Sequence, residues 1–209
     1  MLSELFSGAG RNQNTRLPIF PLKTVLYPGG LLPIRVFEVR YMEMVKDCLK
    51  DGRAFGVCSI TSGNETGTPA AFAPVGTLAK ISSWDMPQLG ILSLVTEGGS
   101  RFNVIEREVT PSGLALAEVT LLDEEEAEYA SEAPPMLVDL LQKLIERVGE
   151  DRFSAARHFD DANWVSYRLA EILPIKLSVK QKLLEVNDSE VRLRVITEFL
   201  RQQGVLPRE

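Results

Sequence analysis

Between Leu17 and Leu122, short apolar runs alternate with clusters of Gly, Pro, Asn and Ser. That spacing predicts strands at roughly Ile19–Leu26, Leu32–Phe37, Ala54–Ile60, Val75–Ser82, Gly90–Glu97, Ser100–Val109 and Gly113–Leu122, the pattern of an all-β barrel or sandwich. Leu32, Ile34 and Val36 alternate onto one face, as do Val75, Thr77, Ala79 and Ile81, which is what a half-buried strand requires. Gly98 and Gly99 stand between two runs and read as a tight hairpin, since primed turns need positive φ. A phosphate-cradling loop at that point lacks the helix and lysine that should follow. One helix interrupts the strands, from Glu38 to Leu49. Its stripe of Tyr41, Met44, Val45 and Cys48 recurs at three- and four-residue steps, Gly52 ends it, and the stripe is expected to plug one end of the β-structure.

Beyond the strands the apolar period lengthens to that of a helix. Leu137, Leu140, Leu141, Leu144, Ile145 and Val148 form one face, opened by Pro134 and Pro135 and closed by Gly149. Trp164, Val165, Arg168, Leu169 and Ile172 mark a second helix that stops before Pro174. Ser178 with Gln181 resembles a capping box for a third, holding Leu183 and Leu184. Asp188 or Ser189 caps a fourth, with Val191, Val195, Phe199 and Leu200 turned inward before Gly204. The class expected is α+β: a disordered or extended N-terminus over 1–16, a β-domain over 17–123, a linker over 124–135 and a helical subdomain over 136–209.

Charge places that linker. Asp123, Glu124, Glu125, Glu126, Glu128 and Glu132 lie between Leu121 and Ala133 without an intervening base, and they equal the whole net charge of −6. The run reads as a solvated connection and not as a metal cluster. With that balance and no Lys/Arg stripe, nucleic acid is not the expected partner. The 209 residues, 44% hydrophobic, can bury a core without staples. Cys48 and Cys58 match no metal or redox spacing and read as buried small hydrophobes in a reducing compartment. No apolar run approaches the roughly 20 residues of a membrane span, and the first residues carry no secretory pattern. A cytoplasmic protein with no membrane partner is expected.

The chemistry that could be present is thin. His158 is the single histidine. With Asp160 and Asp161 it does not form a known ligand set, and the aspartates better suit the start of the Trp164 helix, where the dipole favours negative charge. The nucleotide fingerprints GxxxxGK[ST] and GxGxxG are missing, and so is the hydrolase elbow GxSxG. Paired carboxylates have no positional support as an acid–base couple. Pro18 and Pro21 satisfy PxxP, but LPIFPL is too apolar for an exposed ligand and reads as a core strand.

Leu17–Ile60, with LP-x-FPL at 17–22, PG-x-x-LP-x-x-x-FE-x-RY at 28–41, then a helix and the GV pair at 56–57, resembles the opening of the Lon protease N-terminal domain family. The likeness continues through VGTLAKI at 75–81, RF-x-V-I within 91–106, AEVTLLDEE at 117–125 and LPIKLSVKQKLLEVNDSEVRLRVITEFL at 173–200. It spans about residues 15–203. The resemblance implies a PUA-like β-barrel followed by a helical subdomain, and a role in recognising polypeptide. It implies no hydrolysis, because the ATPase and peptidase segments of the protease have no counterpart here; the expectation is a stand-alone, non-catalytic member needing no cofactor.

Most matching motif residues are architectural, with prolines shaping strand ends and Phe37 and Tyr41 supplying bulk. Glu38 and Arg40 form a charged structural contact or touch a ligand. Trp84, Met86 and Leu89 in SSWDMPQLG, and Phe72 in TGTPAAFAP, are large apolar groups among turn residues; they either cap the barrel or form a recognition surface. The implied partner is unfolded or degron-bearing polypeptide, with a cellular protease as a second partner and a role as adaptor or regulator of proteolysis. The alternatives are RNA binding through the barrel and a small-molecule enzyme using His158 or paired acids.

Overall fold

The computed structural model describes residues 15–123 and 132–207. The expected N-terminal tail and the acidic linker fall largely outside the described residues. Seven strands and five α-helices are formed among the described residues: β1 (Thr15–Leu22), β2 (Leu31–Val36), α1 (Val39–Asp51), β3 (Phe55–Ser62), β4 (Ala71–Phe72), β5 (Val75–Gln88), β6 (Ile91–Val109), β7 (Ala115–Leu121), α2 (Pro135–Val148), α3 (Ala162–Ile172), α4 (Leu177–Glu185) and α5 (Ser189–Gln202). The strands form one mixed sheet in the order β1-β7-β6-β5-β3-β4. β1 also pairs in parallel with β3, from Ile19 opposite Gly56 to Leu22 opposite Ser59. The ladder therefore runs from β1 through β7, β6, β5 and β3 back to β1.

Three apolar clusters hold this arrangement. Inside the circuit, Ile19, Cys58, Phe102 and Val119 pack together. Gly56 and Gly76 face the Phe102 ring so closely that a Cβ on either would overlap it. Against the wing formed by β2 and the first half of β6, helix α1 lays Tyr41, Met44, Val45 and Cys48 on Ile34, Val36, Leu92 and Leu94. Phe20 stacks on Tyr41 with centroids 4.0 Å apart. Each such side chain contributes roughly 1.5–3 kcal/mol by leaving water. The third cluster is helical, built on Leu137, Leu141, Val165, Leu169, Leu183, Leu193, Ile196 and Leu200, and it takes in Val25 and Tyr27 from the β1–β2 connection.

The largest departure from the sequence pattern is β6. Its nineteen residues run unbroken through Gly98 and Gly99, where a hairpin was expected. Neither glycine has positive φ; the turn lies at Gly90, with φ +84°. Gly98 instead serves close approach, since a Cβ there would strike the Tyr27 carbonyl. The Gly29 N–H donates to the Gly98 carbonyl at 2.7 Å and the Gly98 N–H to the Gly30 carbonyl at 2.9 Å. Around this point β6 changes neighbours, pairing with β2 over 92–97 and with β7 over 102–109. Consequently Ser82–Gln88, expected as a loop, is the outer half of β5.

Smaller corrections follow the same logic of tertiary context. β1 starts and ends earlier than expected, at Leu22, and a two-residue strand β4 adds to β3. Helix α4 begins at Leu177 with no side-chain cap, so Ser178 and Gln181 form no capping box. Gln181 instead donates from Nε2 to the Val75 carbonyl at 3.0 Å. The inward face of α5 carries Arg192, Leu193, Ile196 and Leu200, while Val195 is exposed and Val191 only half-buried. A buried arginine disguised that face in a reading by hydrophobicity. Asp188 caps α5 and Asp161 caps α3.

Candidate functional site

The expected site residues divide by where the sheet places them. Phe72 is buried at 5% exposure, opposite Ile60 in β4, with the Arg107 guanidinium 4.4 Å from its ring centroid. It belongs to the interior cluster with Ile19, Cys58 and Phe102. Glu38 and Arg40 form an ion pair of 2.6 Å at the start of α1. Glu38 also accepts from the Gly67 N–H at 2.8 Å, and Arg40 donates to the Gly113 carbonyl at 2.8 Å. The pair ties the β3–β4 loop and the β6–β7 turn to the helix, which is the structural alternative left open for these two residues.

Trp84, Met86 and Leu89 behave differently. They sit on the β5–β6 hairpin at 55%, 42% and 92% exposure. Register explains where Trp84 lies. Trp84 stands opposite Leu94, which stands opposite Ile34 on β2. Residues directly opposite in antiparallel strands share a face. Leu94 and Ile34 lie under α1, so the same apolar row emerges from beneath the helix at Trp84. Met86 follows where the register with β6 shifts, and Leu89 lies at the turn. Phe37 and Val39 are exposed at the start of α1.

A second concavity runs between the sheet half and the helices. It encloses about 580 Å³ and is lined by Val25, Leu31, Pro33, Phe153, Glu171 and Lys180, among others. Glu171 accepts from Arg168 at 3.0 Å, and Arg168 donates to the Pro28 carbonyl at 2.9 Å. Burial raises the Glu171 carboxyl to about 7 against the opposing pull of Arg168 and Lys180. Burial also lowers Lys180, whose Nζ donates to the Glu171 carbonyl at 2.8 Å. The charged groups are thus engaged in joining the β1–β2 connection to α3 and α4.

His158 is exposed and meets Trp164 edge-on at 6.3 Å. Among the described residues no group of three His, Cys, Asp or Glu could hold a metal. No helix among them is long and apolar enough to cross a membrane. Sequence reasoning missed Arg101 and Arg192 and placed Arg168 on its helix without a role, though all three are almost fully buried; the carbonyls that Arg101 and Arg168 reach at Leu184 and Pro28 are distant in sequence and left no local pattern.

The described residues combine a mixed sheet, a helical C-terminal half and an exposed apolar hairpin. The family described as the ATP-dependent protease La (LON) substrate-binding domain matches residues 16–202, and the chain belongs to that family. Lon protease from Dictyoglomus thermophilum is 31% identical over 90% of this chain, and Lon protease from Cytophaga hutchinsonii is 27% identical over 84%. The chain spans only about a quarter of those relatives, 24% and 23% respectively. The Lon N-terminal domain protein from Xanthomonas campestris superposes with a TM-score of 0.72 at 33% identity, covering 88% of this chain and 98% of that one. The N-terminal domain of Mycobacterium avium complex Lon protease shares the fold, with a TM-score of 0.61 at 18% identity, covering 88% and 97%. Family membership supports a substrate-recognition role, and the match does not include peptidase or ATPase domains.

Proposed function

We propose that this chain is a non-catalytic polypeptide-binding module, a PUA-like β-barrel with a helical subdomain, that captures unfolded or degron-bearing polypeptide and acts in the cytoplasm as an adaptor or regulator of proteolysis. The observation that carries the reading is the exposed row of Trp84, Met86 and Leu89. Large adaptable apolar groups on a rigid hairpin gain by burial against varied side chains and need no particular sequence. Glu38 and Arg40 act behind this surface by holding α1, and Phe72 by filling the interior. The helix–sheet cleft, lined by Val25, Leu31 and Phe153, offers a second apolar contact for the same extended chain.

The test is binding of a fluorescently labelled, reduced and carboxymethylated polypeptide, measured by anisotropy. Trp84→Ala and Met86→Ser should each weaken binding about tenfold with the fold intact, and raising salt should change affinity little. An absence of binding at high protein concentration would overturn the reading. So would retention on a polyanion that falls steeply with salt, the behaviour of a phosphate binder.

A further inference from the structure

We propose that the outer half of β5 is a self-complementary edge at which two copies of this chain pair antiparallel about a two-fold axis. β3 pairs with β5 only as far as Ala79. Beyond that point β5 is hydrogen-bonded to β6 alone among the described residues, and Ser82–Gln88 is exposed. An unpaired strand edge is a template for a second strand, and a bulge or a lysine on it turns away strands that do not match them. The opposite edge of this wing, β2, carries Pro33 at its centre, which removes a donor. On the β5 edge proline appears only at Pro87, beyond Lys80–Asp85.

The register selects the occupant. Lys80 lies opposite Glu97 and Ile81 opposite Thr96; a shift then inserts Ser82, so that Ser83 faces Val95, Trp84 faces Leu94 and Asp85 faces Ser93. The extra residue puts Ile81 and Trp84 on the same, core-facing side and Lys80 and Asp85 on the other. In a two-fold antiparallel pair centred between Ser82 and Ser83, Lys80 then meets the second copy's Asp85, and Ile81 meets its Trp84, with both faces matched. Without the inserted serine each pair would point to opposite faces. Asp85 already accepts from the Met86 N–H at 2.7 Å through Oδ1, which leaves Oδ2 for the lysine. Pairing would continue the two wings into one sheet with both Trp84 side chains on one face, and it does not depend on the polypeptide-binding reading.

The experiment is sedimentation equilibrium of the whole chain over a wide concentration range. A reversible dimer is expected. Lys80→Asp and Asp85→Lys should each raise its dissociation constant about tenfold or more by placing like charges opposite one another, and the double swap should restore it, with circular dichroism unchanged throughout. A monomer at every concentration would overturn the proposal. So would a dimer indifferent to both single swaps, single effects that the double swap fails to reverse, or a monomeric chain whose β5 edge takes up unfolded polypeptide instead.

Discussion

Arg101, in the middle of β6, donates from Nη1 to the carbonyl of Leu184 near the end of α4 at 2.9 Å. The same guanidinium reaches the Val186 carbonyl at 3.3 Å, the Asp123 carbonyl at 3.4 Å and the Asn187 side chain. A charge with almost no solvent contact is thus spread over carbonyls at the end of α4, just beyond it and after β7. The group adds a polar tie between sheet and helices to their apolar contact. Replacing Arg101 with Met keeps the bulk but leaves those acceptors short of a donor. Hydrogen bonds to charged groups contribute about 1.5–3 kcal/mol, so a loss of that order in urea unfolding is expected. Arg107→Met, altering a cation–π contact over Phe72, should cost clearly less.

Gly98 and Gly99 offer a paired test of why the hairpin expectation failed. A Cβ at 98 would strike the Tyr27 carbonyl, whereas one at 99 meets nothing nearer than 3.5 Å. Gly98→Ala should therefore destabilise by about 1–3 kcal/mol, the range for overpacked sites. Gly99→Ala should be close to neutral by the same urea titration. Equal costs at both positions would return the dipeptide to a conformational role.

Much of the architecture was legible because it rests on periodicity. The α1 stripe, the faces of β2 and β5 and the α2 face are written in apolar spacing; the α1 stripe is buried throughout, whereas Leu32, Val75, Ile81, Leu140, Leu144 and Val148 are half-buried on their faces. What was not legible depends on contacts remote in sequence. Gly98 answers to the Tyr27 carbonyl some seventy residues earlier, and Gln181 spends its amide on Val75 instead of on its own helix start. The candidate site was half visible. Composition marked Trp84, Met86 and Leu89 as apolar groups among turn residues, but Phe72 has the same local context and is buried. Only the strand pairing separates them.

The two cysteines give a prediction about reactivity. Burial pushes the Cys58 thiol up to about 12 and raises Cys48 as well. The thiolate is the nucleophile. Both side chains are nearly inaccessible, so neither should react with an aromatic disulfide reagent in the native protein at pH 8. Two equivalents should appear at once in denaturant. Titration of one thiol under native conditions would show that its surroundings open.

The Arg168–Glu171 pair carries a pH dependence whose sign follows from its setting. The two are joined at 2.9 Å, yet burial outweighs the guanidinium and raises the carboxyl from 4.5 to about 7. The folded state therefore holds this proton more tightly than the unfolded chain between those values. By linkage, the folded state is favoured below about 4.5, and that contribution is lost as pH rises toward 7. Arg168, Lys180 and Tyr27 surround the carboxyl. Glu171→Gln removes the proton without removing the bulk that fills the space beside Gly30. The difference in melting temperature between wild type and Glu171→Gln should therefore shift against the wild type from pH 4.5 to 7 and level off above it. A difference that stays constant across the window would mean that Arg168 keeps Glu171 ionised throughout.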